Sequence, residues 1–274
     1  MTRLDQALVE RALCDSRERA KRAILAGQVR VNGHPASKAS DAVRASDEIV
    51  LIAPEKYVSR GGHKLEHALV HFQLDVTGLT ALDLGASTGG FTDCLLQRGA
   101  AKVFAVDVGQ GQLAWKLRQD KRVVVMEKTN ARHLKPEQFG GTSSTSPQSK
   151  NIPAKLGTRG TRPSEGDAAF SGVDIITIDC SFISLKKILP SAVPLLKPAG
   201  RIVALIKPQF EAGKAEADKG RGVITDPVVH ERVIAELKEF VAAQTGLCWR
   251  GVVESPLLGP AGDKEFLVLI EQVR

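Results

Sequence analysis

The sequence predicts an α/β protein in which a small α+β domain precedes a doubly wound, largely parallel seven-stranded sheet. Three observations lead there. After residue 61 seven strand-length apolar runs follow one another, most of them separated by helical stretches, and strands that alternate with helices pack as a parallel sheet. The first run opens into a glycine-rich turn and then a helix, a layout that open α/β sheets use to hold ligands. Residues 1–53 follow a different pattern of two helices and then short strands.

In that first domain Leu4, Ala7, Leu8, Ala12 and Leu13 recur at helical spacing. Asp15-Ser16 offers an N-cap for a second helix over 17–26, which Gly27 stops. Val29 and Val31 alternate into a turn at Asn32-Gly33, and a last strand spans 48–52. Residues 54–60 read as a connector and 61–274 as the larger domain. Its strands are expected at 80–84, 102–107, 123–127, 174–179, 201–206, 248–254 and 265–270, and its helices at 91–98, 185–196 and 227–245. A loop rich in proline and glycine joins the last two strands, so that pair is expected to be antiparallel. Residues 140–172, rich in Gly, Ser, Thr and Pro and carrying Lys150, Lys155, Arg159 and Arg162, read as a flexible insert or an accessory RNA-contacting loop.

Composition bounds the function. Among 274 residues Lys and Arg outnumber Asp and Glu by 38 to 31, a net charge of +7 that permits nucleic-acid binding without proving it. No apolar run reaches the eighteen or so residues of a membrane span, and the N-terminus has no apolar signal core. A cytoplasmic protein is therefore expected, and a monomer is taken as its working form. Cys14, Cys94, Cys180 and Cys248 are scattered, without the spacing of a zinc site, so no metal is expected.

The segment from Ala81 to Phe91 is a buried strand, a glycine turn and a helix start. Small residues at Gly85, Gly89 and Gly90 let backbone amides approach a ligand. Asp83 just before the turn suits a cationic amino-acid group, and Ser87, Thr88 and Phe91 complete the loop. The second strand ends at Asp107, where an acid can bind ribose hydroxyls. Asn130, after the third strand, lies where an adenine edge would be. The glycine spacing does not fit the dinucleotide fingerprint. That favours S-adenosylmethionine over a nicotinamide or flavin, with a purely structural turn as the alternative.

Lys64, Asp179, Lys207 and Glu265 lie beside strand ends. A lysine closing the apolar run ALIK is unusual, and one depressed by burial and a second cation can act as a general base. Lys207 is the expected base, Lys64 its electrostatic partner and substrate holder, and the two carboxylates orient the lysines. Two surface ion pairs would read the same way.

The segments SRGGHKL, LDLGASTGGFTDCLL, DIITIDCSFISL, LIKPQFE and GPAGDKEFLVL, in that order, closely resemble the TlyA (hemolysin A) family, RNA 2′-O-methyltransferases with an FtsJ-like catalytic domain. The resemblance covers nearly the whole chain outside the insert. It implies a Rossmann-like methyltransferase sheet, S-adenosylmethionine as cofactor, and a Lys-Asp-Lys-Glu tetrad at Lys64, Asp179, Lys207 and Glu265. It also implies ribosomal RNA or a ribosomal subunit as partner, with a cytidine as target. Residues from Arg3 to Lys38 resemble the RNA-binding fold of ribosomal small-subunit protein four. Arg3, Arg17, Lys21, Arg22, Arg30 and Lys38 are then the expected RNA contacts, against the plainer reading of a solvated helix face. The early first helix resembles the shorter family form, which implies the large subunit. A catalytically dead ribosome-assembly factor is the main alternative. A membrane-active hemolysin is a weaker one, since it needs an amphipathic or spanning element that the sequence lacks.

Overall fold

The computed structural model describes residues 1–52, 55–139, 170–213, 216 and 223–273. Most of the expected insert, 140–169, lies outside the described residues. The chain forms two compact units, Met1–Lys56 and Tyr57–Arg274. The division falls inside the expected connector, and Tyr57 is already 2% exposed in a core of the second unit.

The first unit contains β1 (Thr2–Arg3), α1 (Leu4–Glu10), α2 (Arg17–Leu25), β2 (Val29–Val31), β3 (His34–Pro35), β4 (Ala42–Val43) and β5 (Ile49–Leu51). Ser16 caps α2 by accepting the Arg19 amide, which satisfies one of the donors a helix start leaves open. Asn32 and Gly33 both take positive φ, the conformation a tight hairpin between β2 and β3 requires. Leu4, Leu8, Ala20, Ile24, Val29 and Val43 close a small core.

The second unit begins with α3 (Gly61–His71), a helix the sequence reading did not mark. Leu65, Ala68 and Leu69 give it an apolar face at i, i+3 and i+4. Then come β6 (Thr80–Leu84), α4 (Gly90–Gln97), β7 (Lys102–Val106), α5 (Trp115–Arg118), β8 (Val123–Met126) and β9 (Val173–Ile178). After these follow α6 (Leu189–Ala192), β10 (Leu196–Ile206), α7 (Pro208–Glu211), α8 (Pro227–Ala242), β11 (Leu247–Glu254) and β12 (Phe266–Gln272). They build one seven-stranded sheet in the order β11-β12-β10-β9-β6-β7-β8. β10, β9, β6, β7 and β8 run parallel, and β12 is inserted antiparallel between β10 and β11. The expected fold class and the antiparallel final pair are both present. The helix expected over 185–196 is broken into two 3₁₀ turns around the single turn α6, because Pro190 and Pro194 remove backbone donors.

Side chains alternate across the sheet with period two. Leu82, Leu84, Ile176, Ile178, Ile202 and Ala204 enter one core, and Ala81, Ile175, Val203 and Leu205 enter the core on the other face. Among the described residues no helix is long and apolar enough to cross a membrane, and no group of three or more His, Cys, Asp or Glu side chains is arranged to hold a metal.

Candidate functional site

The site sits where four strand ends come level. Leu84 pairs with Ile178, Ile178 with Ala204, and Ile206 with Phe266. Because β12 runs antiparallel, its first residue arrives at the same edge as the last residues of the parallel strands. Gly85, Asp179, Lys207 and Glu265 therefore flank one crevice at the strands' carboxyl ends, the usual ligand position in open α/β sheets. Lys64 enters from the second turn of α3.

The four ionisable residues form two ion pairs. Lys207 Nζ lies 2.6 Å from Asp179 Oδ1 and also donates to Ser181 Oγ at 3.0 Å. Lys64 Nζ donates to Glu265 Oε2, in a pair whose side chains are only 8% and 1% exposed. The Lys64–Glu265 pair is buried and the Lys207–Asp179 pair partly so, whereas the alternative reading was of two surface ion pairs. Both pairs border one cleft of about 690 Å³. A second cleft of about 650 Å³ continues from it, and the two share Gly85, Ser87, Asp179, Ser181, Phe182 and Phe210.

The glycine turn is shaped by backbone packing. Gly85 has φ +84°, and a Cβ there would stand 2.6 Å from the Asp179 carbonyl oxygen. A Cβ on Gly90 would stand 2.9 Å from the Gly62 amide, so α4 can start only by closing directly onto the start of α3. Gly85, Ser87, Thr88, Gly90 and Phe91 border the first cleft, while Asp107 and Asn130 border the second. Asp107 accepts the Ser87 amide at 2.9 Å and the Gly109 amide at 2.7 Å, tying the glycine turn to the end of β7. Asn130 Oδ1 accepts the Arg132 amide, which leaves its side-chain amide to a ligand.

Asp83 and Gly89, also expected at the cofactor, border neither cleft. Gly89 is covered by Leu113 and Leu117. Period-two alternation turns Asp83 to the same face as Ala81, where it is fully buried and accepts from Thr92 Oγ1 at 2.6 Å and Thr177 Oγ1 at 3.0 Å. It thereby fastens α4 to β9 beneath the glycine turn. Burial pushes its carboxyl up to about 6, with the two threonine hydroxyls opposing the shift. The folded state thus holds the proton more tightly than the unfolded chain, so ionisation destabilises the fold progressively between about pH 4 and 6 and by a constant amount above that. Asp83→Asn should melt close to wild type at pH 4 and above it at pH 7. A melting difference that does not change with pH would remove this account.

Several residues that shape the site lie in the quoted segments without being singled out by the sequence. Phe182 has φ +63°, is 90% exposed, and sets its ring 5.1 Å from that of Phe210 at the lip of both clefts. Glu211 accepts from Ser184 Oγ at 2.6 Å and the Leu185 amide at 2.7 Å, holding the segment that carries Asp179 and Phe182. Burial raises its carboxyl above the usual range. Asp263 is buried beside Glu265.

In the first unit the expected RNA contacts divide. Arg3 and Arg17 both bind the buried Asp5, at 3.1 and 2.9 Å, and each stays about half exposed. The Arg3 guanidinium, followed by that of Arg17, holds the Asp5 carboxyl at about 2, against the opposing effect of burial. Lys21 pairs with Glu18 at 2.8 Å. Arg22, Arg30 and Lys38 are exposed and form no ion pair among the described residues. Each of the three charges faces solvent.

Comparison with known proteins follows the same division. Residues 57–272 match the FtsJ-like methyltransferase family, and residues 2–49 match the S4 domain. The chain is similar to the 16S/23S rRNA (cytidine-2′-O)-methyltransferase TlyA of Mycobacterium tuberculosis, 42% identical over 97% of this chain and 88% of that one. It is also similar to hemolysin A of Brachyspira hyodysenteriae, 37% identical over 97% of this chain and 98% of the other. A solved structure from Streptococcus thermophilus superposes with a TM-score of 0.67 at 39% identity, covering 99% of this chain and 88% of that one.

Proposed function

The chain belongs to the FtsJ-like methyltransferase family, and from that premise we propose that it methylates a ribose 2′-hydroxyl of ribosomal RNA, using S-adenosylmethionine. The observation that carries the reading is the pair of lysine–carboxylate contacts in one cleft beside the glycine turn. The relatives named as rRNA (cytidine-2′-O)-methyltransferases support a cytidine target. Ribosomal RNA also fits the exposed basic residues of the S4 domain. We favour the large subunit, a monomer as the working form, and the cytoplasm, where ribosomes are, as its location.

The donor set fits the cofactor. Asp107 and Asn130 suit the ribose and adenine of its nucleoside, while the backbone around Gly85, Ser87 and Gly90 suits its amino-acid end. When bound, S-adenosylmethionine supplies an electrophilic methyl group on a sulfonium sulfur. Everything else is the work of the chain's own groups. Lys207 Nζ, after its resting ammonium has released a proton to solvent, takes the proton of the 2′-hydroxyl as that oxygen becomes a nucleophile, and Asp179 and Ser181 hold the amine in place. Lys64, fixed by Glu265, stabilises the negative charge that builds on the oxygen. The exposed ring of Phe182 offers a face on which the target base can stack once it leaves its helix.

The test is transfer of labelled methyl to ribosomal particles and to free rRNA, followed by nucleoside digestion. Label recovered as 2′-O-methylcytidine from large-subunit RNA supports the full reading. Label on a base, or none on any particle or RNA, rejects 2′-O-methylation.

A further inference from the structure

Beside the two ion pairs the cleft contains a third carboxylate with no partner among the described residues. Asp263 is 2% exposed and borders the first cleft, and its Oδ1 has no hydrogen-bond donor among the described residues. Buried acceptors left in this state are uncommon in folded proteins, because each one forfeits its hydration. The immediate surroundings add to the cost. Gly259 lies against two carboxylates at once, since a Cβ there would stand 2.8 Å from Glu265 Oε1 and 3.3 Å from Asp263 Oδ2.

Neither lysine compensates Asp263, because Lys64 is committed to Glu265 and Lys207 to Asp179. Arg60 also borders the cleft, but it is exposed and donates to the Leu258 carbonyl. Among the described residues Asp263 is thus the one carboxylate of these three without an ion-pair partner, and it is left to a ligand.

We infer that Asp263 is a charge-selecting residue, which makes the cleft prefer the cationic sulfonium cofactor over its neutral thioether product. The inference rests on the S-adenosylmethionine reading above. Methyl transfer breaks the bond between sulfur and the methyl carbon and forms one between that carbon and the ribose oxygen. Sulfur keeps the electron pair and loses its positive charge, while the proton leaves the hydroxyl. The cofactor and S-adenosylhomocysteine otherwise share the same nucleoside and the same zwitterionic amino-acid end. Their difference in affinity therefore isolates a single charge in a cleft whose walls screen it less than water does. An unpaired carboxylate there holds the reactant and loosens the product.

Calorimetric titration of the full chain with S-adenosylmethionine and with S-adenosylhomocysteine tests this. Asp263→Asn keeps the side-chain shape and removes the charge, and Asp263→Ser serves if the first variant does not fold. Glu254→Gln, which alters an exposed carboxylate paired with Lys264, is the control. Asp263→Asn should weaken S-adenosylmethionine by about tenfold and S-adenosylhomocysteine by no more than about twofold, as expected for one charge in a partly screened site. Sinefungin, which places an ammonium-bearing carbon at the sulfonium position, should follow S-adenosylmethionine. Equal losses for the charged and neutral ligands would assign Asp263 a structural role and overturn the inference, as would an unchanged ratio. If wild type binds neither ligand, the cofactor reading itself fails. If wild type binds both but the variants keep its ratio, only the role of Asp263 fails.

Discussion

Lys207→Ala is expected to lower methyl transfer by about a thousandfold, within the range that loss of a general base produces. The variant should keep its fold, since Asp179 is left with a side chain that is 24% exposed and open to water. Lys207→Arg separates two roles for this residue. A guanidinium preserves the positive charge beside Asp179 but does not give up its proton at neutral pH. If Lys207 works by accepting the hydroxyl proton, the arginine variant stays inactive while still binding cofactor. Restored transfer in Lys207→Arg, measured with labelled methyl in single turnovers, would move Lys207 from base to charge stabiliser.

Glu265→Gln should destabilise the second unit by about 3–5 kcal/mol, because removing one member of a buried pair leaves an uncompensated charge. Lys64 is 8% exposed and its ammonium has Glu265 as its ion-pair partner, so the protein must unfold locally, pull water inward, release the ammonium proton or turn it toward the neighbouring Asp263. Replacing both partners by apolar residues of similar size, Lys64→Met with Glu265→Leu, should recover most of the stability without recovering activity. Denaturant unfolding of the single and double variants reads the first effect, and the methyl-transfer assay reads the second. A Glu265→Gln variant as stable as wild type would mean that the pair is solvated and contributes only geometry.

The sequence was most legible where short-range physics dominates. Apolar runs such as the one in Lys102–Val106 become strands where expected because a strand buried on both faces is written almost entirely in apolar side chains. The interruption near residue 190 was legible in principle, since Pro190 and Pro194 stand in the segment that otherwise reads as a helix. The start of α3 was harder to see, because a Gly-Gly pair usually marks a turn. Here it instead permits the close contact of α3 with α4.

The candidate site divides along the same line. Lys64, Asp179, Lys207 and Glu265 were found as charges beside apolar runs and through their family resemblance. Which lysine meets which carboxylate could not be read, because the pairing joins residues as far apart as 64 and 265. Asp83 looked like a ligand contact from its place before the turn, whereas its direction depends on strand alternation and on two threonines contributed by other elements. Asp263 lies in one of the resembling segments, but nothing there distinguishes it from a solvated acid. A buried acid without a partner is defined by what fails to surround it.

By itself the sequence determined the fold class, the order of the strands along the chain, the glycine turn and the identity of the four charged residues. The first three follow from local periodicity and turn chemistry, and the four charged residues from side-chain type together with the family resemblance. Only the tertiary structure decided the antiparallel insertion of β12 between β10 and β11, the division into two lysine–carboxylate pairs and the isolation of the Asp263 carboxylate among the described residues. The physical reason is that burial and charge compensation belong to groups of residues brought together from distant strands. No window along the chain contains them.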